Sequence, residues 1–330
     1  MSRRLYDAHN HLQDERFGGR QGELLAACAQ TGVAAMVVNG SCEADWPQVL
    51  ALARSADGPR PQQVASREAP VFPGTKPKSR AATGDRSRSG ASVPASRLVS
   101  SLALPAAAGT AALQIIPSFG YHPWYIHERT VDWLKNLTHF LDEVPSAVGE
   151  IGLDRWKPGL AYDGQEKGFI AQLRLAAERN LPVSIHCLQA WGRLREILQT
   201  EPRPARGFLL HSYGGPKEMV TPFADLGGYF SLPGYYAHER KTRQRETFEH
   251  VPMERLLIET DAPDQNLPET RSFFRDAKTY PLTDSSSGKA LNHPANLAAV
   301  YAFAAELRGV AGEALSAQVE ANFLRLFGKL

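Results

Sequence analysis

Asp7-Ala8-His9-Asn10-His11 closes the first of eight short apolar or β-branched runs, and the reading of that stretch decides the fold. Side chains along a strand alternate faces, so Asp7, His9 and His11 point the same way. Strand-like runs are read at 4–11, 33–40, 114–120, 146–152, 182–187, 207–211, 228–232 and 255–261. Helical periodicity fills the intervals, at 23–30, 43–54, 131–143, 165–179, 191–198, 217–226 and 239–250. Ser41 is the expected cap of the second helix, with Glu43 and Asp45 at its positive end. Two more helices, 295–308 and 313–327, are expected to supply the last barrel helix and a cover over one end. Strand then helix, repeated eight times, predicts an α/β protein of the (β/α)8 TIM-barrel type, which typically needs ~250 residues.

The chain has 330 residues, 43% of them hydrophobic and 22% charged, enough for one closed core. The expected organisation is a single domain over 1–330, with an insertion at 57–110 between the second helix and the third strand. That stretch is rich in Pro, Ser, Arg, Gly and Ala, has little periodicity, and is expected to be disordered. It carries eight Lys/Arg and three Asp/Glu, so the chain's net charge of +2 becomes −3 once the stretch is set aside. The whole-chain charge is therefore not a nucleic-acid footprint. No apolar run is long enough to span a bilayer, and the N-terminus lacks the apolar stretch of a secretory signal. Three cysteines without paired spacing argue against a disulfide framework and for a reducing, cytoplasmic setting.

The chemistry-bearing residues fall at the C-terminal ends of the strand runs, where barrel enzymes place their sites. They are His9 and His11, then Glu150 in Val-Gly-Glu-Ile-Gly, His186 in Ser-Ile-His, His211 in Leu-Leu-His, and Asp261 in Glu-Thr-Asp-Ala-Pro. Imidazole nitrogen and carboxylate oxygen suit Zn²⁺, Mn²⁺ or Fe²⁺, and with more water Mg²⁺. The set can hold one ion or open a site for two. Glu150 is the best candidate for a bridge between two ions, and Asp261 for orienting a water and taking its proton. Taken singly, His186 and His211 read as satisfied core histidines; together, at consecutive strand ends, they read as ligands. Asp7 and Glu259 share faces with these residues and read as hydrogen-bond partners that orient them. Asp154 and Lys289 are lesser substrate-contact candidates, and His127, His139, His238, His250 and His293 are expected to face solvent or loops.

These motifs resemble those of the TatD-family metal-dependent hydrolases, deoxyribonucleases of the wider amidohydrolase-like superfamily. The matching segments are Asp7-Ala8-His9-Asn10-His11-Leu12, Gly120-Tyr121-His122-Pro123-Trp124 and Gly149-Glu150-Ile151-Gly152-Leu153-Asp154. Ile185-His186, His211-Ser212-Tyr213-Gly214-Gly215, Ser231-Leu232-Pro233-Gly234 and Glu259-Thr260-Asp261-Ala262-Pro263 follow. Asn292-His293-Pro294-Ala295-Asn296-Leu297 and the terminal Asn322-Phe323 through Phe327 complete the set. The resemblance spans nearly the whole chain except 57–110. It implies one metal ion held by His9, His11, Glu150 and Asp261, and a second held by Glu150, His186 and His211. Two divalent ions (Mg²⁺, Mn²⁺ or Zn²⁺) are thus expected. It also implies that His122 contacts a substrate phosphate, and that the reaction is phosphodiester hydrolysis of DNA by trimming from a 3′ end.

Single-stranded DNA, held through its phosphates, is the expected partner, and Trp124 and Tyr213 are expected to stack on bases. Nothing in the chain points to sequence-specific recognition. The competing reading is an amidohydrolase-type esterase or amidase, or an aminoacyl-nucleotide deacylase, acting on small molecules. That group commonly bridges its metals with a lysine of the fourth strand, where this chain offers Glu150 and no lysine. A non-catalytic module would be signalled by a lost ligand, and none is lost.

Overall fold

The computed structural model describes residues 3–56, 113–269, 274, 277–328 and 330. The insertion expected at 57–110 lies outside the described residues. Eight parallel strands run in chain order: β1 (Leu5–Asn10), β2 (Val33–Asn39), β3 (Gln114–Phe119), β4 (Ala147–Asp154), β5 (Val183–Leu188), β6 (Phe208–Leu210), β7 (Gly228–Pro233) and β8 (Leu256–Glu259). Helices α1 (Gln21–Gln30), α2 (Trp46–Ala56), α3 (Trp133–Glu143), α4 (Tyr162–Arg179), α5 (Trp191–Thr200), α6 (Val220–Asp225) and α7 (Thr242–Glu249) alternate with them. This is the α/β barrel expected from the strand–helix rhythm.

The seam between β8 and β1 closes just beyond the strand ends. Asp261 N donates to His9 O (3.0 Å), and His11 N donates to Ala262 O (2.8 Å). Asp7 reinforces the seam by accepting from Thr260 N (2.9 Å) and Thr260 Oγ1 (2.6 Å). Two C-terminal helices, α8 (Leu297–Arg308) and α9 (Gly312–Phe327), pack on β8 and β1 and cover the seam from outside. There Tyr6 N donates to the Tyr301 hydroxyl (3.0 Å), and Asn322 Nδ2 donates to the carbonyls of Met253 (2.7 Å) and Leu256 (2.8 Å). Backbone groups that no neighbouring strand satisfies thus find side-chain partners, as burial demands.

Two details differ from the sequence reading. Helix α2 begins at Trp46 rather than at residue 43, because Asp45 turns its carboxylate back onto Ser41 N (2.9 Å) and Cys42 N (3.2 Å). Glu43 instead leaves that helix, accepting from the Tyr121 hydroxyl (2.7 Å), Thr130 Oγ1 (2.8 Å) and Asn136 Nδ2 (2.6 Å), and so ties down the loop after β3. The long polar loop after Asp261 contains an antiparallel pair, β9 (Pro281–Thr283) and β10 (Ala290–Asn292), that short-range alternation did not reveal. Among the described residues no helix is long and apolar enough to cross a membrane.

Candidate active site

Strand β4 delivers Glu150 into the mouth of the barrel between two glycines. A Cβ on Gly149 would stand 2.8 Å from Ser184 Cβ and 2.9 Å from Ser118 Oγ. On Gly152, at φ 150°, it would stand 1.9 Å from His186 O. Neither position tolerates a side chain, so β4 lies close against its neighbours and Glu150 is fixed at the centre. The surrounding layer is polar and buried: Asn39, Ser118, Ser184, Ser231, Asp7 and Glu259 all point into it or bond across it.

The two carboxylate oxygens of Glu150 face two different sets of imidazoles. Oε2 lies 3.4 Å from His9 Nε2 and 3.3 Å from His11 Nε2. Oε1 lies 2.8 Å from His211 Nε2 and 3.1 Å from His186 Nδ1. His9 Nε2 and His11 Nε2 are themselves 3.3 Å apart, as are His186 Nδ1 and His211 Nε2. Asp261 joins the first set, with Oδ1 3.8 Å from His9 Nε2 and 3.6 Å from His11 Nε2. The second set contains no Asp261.

The far side of each ring sets its tautomer. His11 Nδ1 donates to Asn39 O (2.8 Å), which turns Nε2 toward Glu150. His186 Nε2 donates to Asp154 Oδ2 (3.0 Å), which turns Nδ1 toward Glu150. His9 Nδ1 bonds Ser184 Oγ at 2.8 Å. His122 is the exception. Its Nδ1 accepts from Trp124 N (3.2 Å), which leaves Nε2 as the donor, 3.4 Å from Glu150 Oε1. Asp7 takes Thr260 and His9 N, and Glu259 accepts from Ser212 Oγ and Ser231 Oγ beside His211, so both act as partners of the inner groups.

Burial would raise the Glu150 carboxyl, but His211, His122 and His9 around it hold it well below the usual carboxylate range. His9 goes the other way, pushed down to about 3 by burial and by His211 beside it. Burial also lowers His122 to about 4, so its ring is neutral at pH 7. Asp261 is pushed up to about 7 by burial, against the pull of His211 and His11. Its Oδ2 accepts from Gln265 Nε2 (2.6 Å), and its backbone adopts φ 54°, the left-handed region that non-glycine residues rarely enter. Gln265 was not read from the sequence; its place four residues beyond Asp261 in a polar loop carried no signal.

The donors suit divalent ions. Ligands ~2.1 Å from one tetrahedral ion stand about 3.4 Å apart, which is close to the spacing within the His9–His11–Glu150 set. Glu150 is almost fully buried, and its Oε1 is met by the imidazole nitrogens of His211, His186 and His122. His9, His11 and Glu150 form one compact ligand group, and His122, Glu150 and His186 another.

The site opens into a cleft of about 1190 Å3. His11, His122, Trp124, Glu150, His186, His211 and Asp261 all line it. Tyr213 does not. It is fully buried against Trp191 (4.7 Å between ring centroids) and Phe230 (5.0 Å), and its hydroxyl donates to Pro216 O. The expectation that it stacks on bases is thus overturned. His293 is buried against Tyr280 of the loop after Asp261 (5.2 Å between ring centroids), His238 lines the cleft, and Lys289 is exposed outside the cleft.

Residues 79–328 match the family model described as TatD related DNase. The chain belongs to that family. The matched stretch contains Glu150, His186, His211 and Asp261, whereas His9 and His11 precede it. With the family comes its class, a hydrolase of ester bonds. A 3′-5′ ssDNA/RNA exonuclease TatD from Citrobacter koseri is 37% identical over 215 residues, which are 63% of this chain and 76% of that protein. In three dimensions the TatD homologue YjjV of Escherichia coli K12 superposes with a TM-score of 0.73 at 22% identity, covering 100% of both chains. A TatD family hydrolase from Entamoeba histolytica does so at 0.71 and 15% identity, covering 99% of each. These structural likenesses carry the barrel fold.

Proposed function

We propose that this protein is a two-metal nuclease that shortens single-stranded nucleic acid from its 3′ end. The observation that carries the reading is the division of Glu150, one oxygen toward His9 and His11 and the other toward His186 and His211. One carboxylate serving two imidazole sets is the donor arrangement for a pair of divalent ions. His9, His11, Glu150 and Asp261 would hold one, and Glu150, His186 and His211 the other. Bound there, divalent ions would supply charge to offset that of a phosphodiester and would lower the pKa of a water.

The protein's own groups supply the rest. Asp261, at the edge of the first set and held by Gln265 Nε2 (2.6 Å), would take the proton of the attacking water. His122, neutral and donating from Nε2, hydrogen-bonds a non-bridging phosphate oxygen. Trp124 presents a half-buried ring to the cleft, with Lys157 Nζ 4.1 Å over it, as a stacking surface for a base. The curated relative's name supports a single-stranded DNA or RNA substrate and the 3′-to-5′ direction.

The experiment is digestion of a single-stranded oligonucleotide blocked at one end or the other, in Mg²⁺ or Mn²⁺. A block at the 3′ end should stop release of mononucleotides, and a block at the 5′ end should not. Equal release from both would reject the direction. Hydrolysis of small esters or amides, with neither strand touched, would shift the substrate to the small-molecule class.

A further inference from the structure

Beyond Trp124, cations also gather beside tyrosines on the wall of the cleft, Lys241 Nζ lying 5.7 Å from the Tyr236 ring centroid. Tyr235, just beyond β7, has Lys241 Nζ 4.8 Å and Arg240 Cζ 5.3 Å from its ring centroid. Arg240 also donates to the Tyr235 hydroxyl. Tyr235, Arg240 and Lys241 all line the cleft. Among the described residues, no carboxylate pairs with Arg240, Lys241 or Lys157.

The placement follows from topology. In an eight-stranded barrel closed in chain order, the strands three and seven stand opposite one another. Trp124 follows β3 and Tyr235 follows β7, so the two residues leave the barrel on opposite sides of its mouth, and both line the cleft together with Glu150. The rim beyond β1 and β8 is different. There Arg16 is held by Asp14 (2.7 Å) and Asp264 (2.8 Å), and Glu15 adds another negative charge. A polyanion is repelled along that side and drawn along the line from Lys157 to Lys241.

We propose that Tyr235, Arg240 and Lys241 form a second nucleotide platform, which holds the base and phosphate on the far side of the scissile bond from Trp124. The inference rests on the nuclease reading. Its chemistry is ring stacking, which any base can satisfy, joined to phosphate neutralisation by the two cations. The strand then crosses the mouth of the barrel, and the bond over Glu150 is the one presented for cleavage.

The test is fluorescence anisotropy of a 5′-labelled single-stranded oligonucleotide with Asp261→Asn protein, whose turnover is expected to be slowed about a hundredfold or more, alongside nucleotide release by the wild type. Tyr235→Leu should raise Kd about tenfold, the loss of one stacked base, and Tyr235→Phe should restore most of it. Lys241→Gln removes the charge of a partly exposed side chain and keeps most of its length. It should reduce the slope of log Kd against log salt by about 0.7, one single-strand phosphate contact. If the wild type releases nucleotides while Tyr235→Leu and Lys241→Gln bind as their parent does, the platform is rejected and the nuclease stands. If the wild type neither binds nor cleaves the strand, both are rejected together.

Discussion

Asp154 Oδ2 lies 3.0 Å from His186 Nε2, and this contact decides which nitrogen of His186 faces Glu150. The same oxygen accepts from Trp124 Nε1 (2.6 Å), while Oδ1 accepts from Trp156 N (2.7 Å) and Lys157 N (2.9 Å). Burial would raise this carboxyl, but His186, Lys157 N and Trp124 hold it well below its ordinary value, so it is ionised at pH 7. An ionised carboxylate behind a histidine fixes the ring and makes its other nitrogen a better donor to a metal.

Replacing that charge with an amide should therefore weaken metal binding on one side of Glu150. Asp154→Asn is expected to lower Mn²⁺ affinity for one of two equivalents by about 10- to 100-fold. Titration calorimetry reads this directly. Two equivalents bound as tightly as in the wild type would reduce Asp154 to a loop-shaping residue.

Metal removal should cost stability as well as activity. Ions that bind only the folded chain add about 2.7 kcal/mol when present at a hundred times their Kd. Scanning fluorimetry should show Tm rising by several degrees with Mn²⁺ and falling back with chelator. Glu150→Gln, which removes the charge shared by both imidazole sets, should abolish the rise. A shift that survives in Glu150→Gln would place the ions elsewhere.

His293 gives a pH dependence separate from the metal site. It is buried, its Nδ1 accepts from Ala295 N (3.0 Å), and burial, reinforced by Arg20, pushes it down to about 4. With the folded value below the unfolded ~6.5, protonation favours the unfolded chain. The stability it contributes is complete above about pH 6.5 and is lost as pH falls toward 4. In chelator-treated protein, His293→Asn keeps an acceptor for Ala295 N. The variant should show a shallower fall in Tm between pH 7 and 5, and parallel curves would reject His293 as a source of that fall.

The barrel was legible because its determinants are local: each apolar run ends where a polar donor appears, and the parallel order follows from alternating helices. The same regularity put His9, His11, Glu150, His186, His211 and Asp261 at one end of the sheet, and the structure brings them together. What was not legible depends on packing between segments distant in sequence. Residues 146–152 looked like the whole fourth strand, yet β4 continues to Asp154 and so places its carboxylate behind His186. Tyr213 looked available for stacking, but Trp191 and Phe230 enclose it. The β9–β10 pair is too short and polar to show alternation, and a turn around Asp284, whose side chain accepts from Ser286 N (2.8 Å) and Ser286 Oγ (2.7 Å), joins its strands.

The most direct measurement is release of mononucleotides from the 3′ end of single-stranded DNA with and without Mn²⁺, wild type beside Asp261→Asn. Release that requires the ion and falls by about a hundredfold or more in Asp261→Asn is the expected result, the range in which loss of a general base lies. Release that proceeds without a divalent ion, or at an unchanged rate in Asp261→Asn, would contradict the assignment of the cleft around Glu150 as a metal-dependent nuclease site.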